Sequence, residues 1–165
     1  MQRKESTMKV KSETIMILPD ESLIKQFEDY YSSFALPEDY RAFLKKYNGV
    51  IPETQVFNFH DYEYVVERFL CLLEHPIEDY ENGVYDIPVI ITQLDARLQD
   101  GWNEDETKYK IIPIAALFAG NFLCLDYRTG NTPSIAIWFH EESDEYSPSL
   151  VKIADSFSEF IEMLY

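Results

Sequence analysis

The side chains with which this chain could do chemistry are few, with one exception. Its 165 residues hold three histidines and two cysteines but 30 aspartates and glutamates. His60, His75 and His140 are scattered, with no H-x-H or H-E-x-x-H spacing and no cysteine pair nearby, so no metal site is drawn from them. His140 follows Trp138 and Phe139 and reads as a strand-end or surface histidine rather than a ligand or base. Cys71 and Cys124 sit inside the apolar runs FLCLL and FLCLDY and read as buried, reduced thiols. Two cysteines so placed make no disulfide framework. The five glycines build neither a G-x-x-x-x-G-K-S/T loop nor a G-x-G-x-x-G turn, so no phosphate cradle is present, and no G-x-S-x-G elbow occurs. Glu78-Asp79-x-Glu81-Asn82-Gly83 opens like a calcium loop, but Ile90 stands where its closing bidentate glutamate belongs. With so many acids, some pair falls at the carboxylate spacing of a glycosidase by coincidence alone. No catalytic group, metal ligand or cofactor site follows; the reading is of a protein that is not an enzyme.

The acids themselves are grouped. Glu74, Glu78, Asp79, Glu81 and Asp86 lie in one segment, Asp100, Glu104, Asp105 and Glu106 in a second, and Glu141, Glu142, Asp144 and Glu145 in a third. Taken singly, each reads as a solvated loop. Together, with almost no cations interspersed, they read as a surface that steers a basic partner. Trp102, Tyr80, Tyr85 and Tyr146 stand within or beside these clusters, either as interface anchors or packed down on the sheet.

The elements that must position these loops can be read from periodicity. Pro19-Asp20-Glu21 starts a helix that carries apolar residues at helical spacing to about residue 34. Leu36-Pro37-Glu38-Asp39 opens a second, with Tyr40, Phe43, Leu44 and Tyr47 as its stripe and Asn48-Gly49 at its end. Residues 55–59 alternate as a strand; residues 64–73 suit either helix or strand. Asp86-Ile87-Pro88 starts a third helix, and 99–108 is a polar loop. Strands over 109–117, 122–128 and 133–140 form an antiparallel run joined by tight turns, and Pro113 places the first of them at an edge or a bulge. Ser156 and Glu159 make a capping box for a last helix with Phe160, Ile161 and Leu164 inward. Helices, then a meander, then a helix make the class α+β in a single domain over residues 13–165.

The formal net charge is −16. Residues 1–12 carry Arg3, Lys4, Lys9 and Lys11 against Glu5 and read as a flexible basic leader or an expression remnant, with Met8 a second candidate start; the remaining residues therefore carry −19. Such a surface does not meet phosphate, which excludes nucleic acid as a direct ligand, nor an anionic membrane. The apolar stretch Ile15 to Leu18 is shorter than the roughly 7–15 residues of a signal peptide, and no run approaches the ~20 of a membrane span, so the cytoplasm is the default.

Leu36-Pro37-Glu38-Asp39-Tyr40-Arg41-Ala42-Phe43-Leu44 with Tyr47-Asn48-Gly49, then Ile112-Pro113-Ile114-Ala115, Phe122 to Tyr127 and Ile135 to Glu141, resemble the SUKH superfamily, the Smi/Knr-like domain, in order and spacing over roughly residues 20–165. The family's Gly- and Asp-rich turn is replaced here by Leu117-Phe118-Ala119-Gly120-Asn121. The resemblance implies an α+β fold with a mixed or antiparallel sheet, mostly antiparallel, packed against N-terminal and C-terminal helices, and it tips residues 64–73 toward strand. It also implies a non-enzymatic immunity protein that neutralises the toxic C-terminal domain of a polymorphic toxin, commonly a nuclease, with RNase favoured. The sequence is similar to the immunity partners of Bacillus LXG-type toxins (YobK-like); fungal relatives are instead regulatory scaffolds. The partner expected is a basic toxin domain, and the protein itself a monomer or weak dimer.

Overall fold

Helix α1 (Glu21–Tyr31) begins where Asp20 accepts a hydrogen bond from the Leu23 amide at 2.8 Å, so a carboxylate sits on the positive end of the peptide dipoles. Its inner face buries Ile24, Phe27 and Glu28. Glu28 is paired, with Oε1 2.6 Å from Arg41 and Oε2 accepting the Leu36 amide, so this buried charge is compensated. Helix α2 (Glu38–Tyr47) follows Pro37, with Glu38 and Asp39 in its first turn and Lys45 and Lys46 in its last. It ends at Gly49, whose φ of +70° and close approach to Met16 leave no room for a Cβ.

The computed structural model describes residues 8–165. Strand β1 (Val10–Lys11) pairs with β2 (Ile51–Pro52) in a small antiparallel ribbon. Of the leader read at residues 1–12, residues 1–7 lie outside the described residues. Lys9 to Lys11 are tied into the domain, with the Lys9 carbonyl accepting from Glu53 at 2.7 Å, so the fold begins before residue 13.

The main sheet has six strands, all antiparallel and in chain order: β3 (Val56–Phe59), β4 (Tyr62–Phe69), β5 (Ile111–Leu117), β6 (Phe122–Asp126), β7 (Ser134–Trp138) and β8 (Leu150–Ala154). Residues 64–73 thus resolve as the end of a strand and the extended segment after it. Between β4 and β5 the chain leaves the sheet for α3 (Ile87–Leu94) and a short helical turn over Asp95–Leu98. Pro113 lies in β5, which is flanked on both sides, so the edge position expected for it is wrong. The bulge is right: pairing with β6 shifts between Pro113 and Ala115, which accommodates a residue with no N–H to donate. Strand β8, unread in the sequence, forms the outer edge and carries Lys152 outward.

Successive strand residues face opposite sides, and in β6 and β7 both sides are buried. On one side Phe57 meets Phe160, Phe69 meets Phe43, and Tyr127 donates to the Ala35 carbonyl at 3.0 Å. This is the layer of α1, α2 and α4 (Phe157–Met163). On the other side Trp138 donates its indole N–H to the Arg97 carbonyl at 3.0 Å, and α3 packs on β5. Cys71 and Cys124 are free and fully buried, and burial pushes both thiols up, as expected of structural cysteines. In α4 the N-cap Ser156 accepts from the Glu159 amide at 3.1 Å, while Glu159 reaches back one residue further than a capping box requires, to the Asp155 amide.

Candidate partner-binding surface

Two of the three acidic segments are brought together. Tyr146 donates its amide to the Ala96 carbonyl at 2.8 Å and accepts from the Gly101 amide at 2.9 Å, which stitches the 140–146 loop to the 95–106 loop. Tyr146 takes a φ of +59° and Gly101 one of +82° to make that crossing. Beneath them Arg97 lies 4.9 Å over the Trp138 ring and donates to the carbonyls of His140 (2.5 Å) and Ser143 (3.1 Å). Arg97 is therefore spent on backbone, and the cations that meet this edge are Lys110, beside Glu106, and Arg128, on Asp100.

What remains outside is acidic. Glu104, Asp105, Glu141, Glu142, Asp144 and Glu145 are exposed, and Glu106 is half-buried with Lys110 at 3.8 Å. Glu142 accepts from the Ser149 hydroxyl and Asp100 from Arg128 at 2.9 Å. Trp102 stands 69% exposed among them, a rigid apolar body within a charged rim. Tyr146 is at the margin of exposure, so its ring flanks the edge while its backbone holds it.

The first segment stands apart, at the other end of α3, whose eight residues span about 12 Å. Glu74, Glu78 and Glu81 are exposed there, and Asp79 accepts from the Asn82 amide at 3.0 Å. Tyr80 is 94% exposed, whereas Tyr85 is half-buried with the Arg68 guanidinium over its ring. Asp86 does not belong to any surface: it is fully buried, caps α3 through the Val89 amide (3.2 Å) and accepts from the Leu73 amide (2.9 Å). Its expected place among partner-binding acids is corrected; a carboxylate one residue before Ile87-Pro88 is held inward by the helix start it makes. The 74–86 segment also has a neighbour that periodicity did not reveal. Ile17 and Leu18 lie across a cleft of about 350 Å3 from Leu72, Leu73 and Glu74.

Burial pushes the Asp86 carboxyl up to about 6, against the lowering effect of its two amide donors. Between the ordinary carboxyl range and pH ~6 the folded chain holds a proton that the unfolded chain has lost. Stability from this group is thus full below pH ~4 and falls as pH rises through about 6. Relative to Asp86→Asn, the wild type is expected to lose about 1 kcal/mol of unfolding free energy between pH ~5 and ~7, measured by urea titration at the two pH values. A pH-independent difference would show that the carboxyl is not raised.

Among the described residues, no group of three or more histidines, cysteines, aspartates or glutamates is arranged to hold a metal ion, and no helix is long and apolar enough to cross a membrane. No curated protein and no solved structure matches the chain. A family model described as the SMI1 / KNR4 family (SUKH-1) does match, over residues 18–163, a span that takes in every helix from α1 to α4 and the whole six-stranded sheet. With its helices, meander and family match in agreement from end to end, the chain belongs to the SMI1 / KNR4 family (SUKH-1).

Proposed function

We propose that this protein is an immunity protein that binds and neutralises the toxic C-terminal domain of a cognate polymorphic toxin, a basic nuclease with RNase favoured over DNase. The observation that carries the reading is the joined acidic edge, in which the 100–106 and 141–146 segments share one surface with Trp102 exposed between charges. A nuclease binds phosphate through a basic cleft, and a dense carboxylate edge with an aromatic anchor is complementary to it in charge and can exclude the nucleic acid backbone. The protein works by occupation, in the cytoplasm where such a toxin would act, and turns over no substrate.

Cells producing the toxin encoded beside this protein are expected to survive on co-expression of the wild type and to die with Glu104→Lys/Asp105→Lys/Glu106→Lys. With purified partners at low salt, the triple reversal is expected to slow association by about 10–100-fold and to flatten its salt dependence. An unchanged on-rate removes that segment from the interface. Failure of the wild type to rescue sinks the immunity reading and leaves a regulatory scaffold with an endogenous basic partner, the role of fungal relatives.

A further inference from the structure

The end of α3 remote from the acidic edge carries an apolar concentration that the proposed function does not use. Ile17 is 87% exposed and Leu18 50%, and across from them Ile77 is 87% and Tyr80 94% exposed. Solvent normally meets such side chains singly; here Ile17 and Leu18 border one cleft, and Ile77 and Tyr80 stand on the loop that supplies Glu74, His75 and Asp79 to its lining. Leu18, Leu23, Leu72 and Leu73 line its apolar floor and walls, with a volume of about 350 Å3, at the small end of ligand-sized pockets.

The cleft is also preformed. Asn48 is fully buried between its walls. Its side-chain amide donates to the carbonyls of Ile17 (2.8 Å) and Leu72 (2.9 Å), its side-chain oxygen accepts from the Leu72 amide, and its backbone carbonyl accepts from Met16. Both walls are held by one residue, so an occupant would not have to order them.

The rim has a single sign. Asp20, Glu74 and Asp79 line the cleft with no lysine or arginine among the described lining residues, and Glu78 and Glu81 follow on the same loop. The sequence holds no cation from residue 69 to residue 96. His75 shares the rim, 3.8 Å from Glu74. An apolar floor within an unneutralised acidic rim selects against anionic ligands and against purely apolar ones. It fits a side chain such as leucine or phenylalanine carried between lysines or arginines.

We propose that the cleft between Ile17–Leu18 and Leu72–Leu73 is a second docking site that takes a short basic amphipathic segment of a partner protein, one apolar anchor seated on the leucines and its flanking cations on Glu74 and Asp79. The site is separate from the acidic edge, and it stands whether the partner is a toxin or an endogenous protein.

The probe is a fluorescein-labelled peptide of about a dozen residues alternating leucine with lysine and arginine, followed by anisotropy at low salt. Wild type is expected to bind it saturably. Leu18→Asp and, at the more exposed neighbouring position, Ile17→Asp are each expected to weaken binding by about 10-fold, the worth of one buried aliphatic side chain. Glu74→Lys weakens it through the rim. A peptide of the same charge with serine for leucine should not saturate, and Glu104→Lys/Asp105→Lys should bind the original peptide like wild type. The proposal is overturned if the serine peptide binds equally, if only the edge variant loses binding, or if wild type shows no saturation. Because the readout is a peptide on the purified protein, it can fail while toxin rescue succeeds, and the reverse.

Discussion

Phe157→Ala is expected to lower the unfolding free energy by about 3–5 kcal/mol, the cost of deleting a buried aromatic side chain and leaving a cavity. Phe157 is 3% exposed and is the meeting point of three elements. Its ring is edge-on to Tyr40 at 5.1 Å and to Phe43 at 5.0 Å from α2, 6.4 Å from Phe69 of β4, and 6.5 Å from Phe160 of its own helix. These four neighbours are themselves bulky aromatic rings, so the packing lost is spread over the sheet and both helices. Urea denaturation gives the measurement: the midpoint should fall with the slope unchanged. Phe157→Leu should recover part of the loss. A loss below about 1.5 kcal/mol for the alanine variant would mean that the aromatic cluster collapses around the gap.

Asn48→Ala is expected to cost about 3 kcal/mol, since it leaves buried backbone groups without partners rather than only removing a contact. The Leu72 amide, the Leu72 carbonyl and the Ile17 carbonyl all lose the side chain that satisfies them. Asn48→Asp is no rescue, because it keeps only the acceptor and buries a charge. Hydrogen exchange separates this from general destabilisation: the Leu72 amide should lose protection beyond the global loss, while amides of β6 and β7 follow the global value. Equal loss everywhere would deny Asn48 its local role in holding the cleft.

The helices were legible because each announces itself locally. Asp20, Pro37 and Ser156 mark starts, Gly49 marks an end, and the apolar spacing between them is helical. The meander of β5, β6 and β7 was legible from alternation and turns. Strand β8 was not: it is five residues long, on an edge, with Val151 and Lys152 both exposed and Ile153 and Ala154 both buried, so it lacks alternation over a useful length. The ribbon of β1 and β2 has two residues on each side and no local signal at all. Asp86 reads from the sequence both as the start of α3, which it is, and as one of the surface acids, which it is not, because periodicity does not show that the cap is buried.

The surface was legible as composition and not as geometry. Three acidic segments could be named, but a sequence does not say that a single tyrosine backbone joins two of them. Asn48 reads as a helix end, which it is. That it also spans to Ile17 and Leu72 depends on residues 31 and 24 positions away. Long-range bonds of this kind leave no periodicity.

The order of the six strands has a consequence for how the chain assembles. Each strand pairs with the next along the chain; the β3–β4 hairpin turns over residues 60–61 and the pairings from β5 onward also close short loops, so these can form early and quickly. The pairing of β4 with β5 instead closes over residues 70–110, the slowest loop in the sheet. Nucleation in the C-terminal meander, with the N-terminal strands and their helices condensing onto it afterwards, is the route this topology favours. The buried contacts of Asn48 with Leu72 then form after the core sheet, and substitutions there should speed unfolding more than they slow folding.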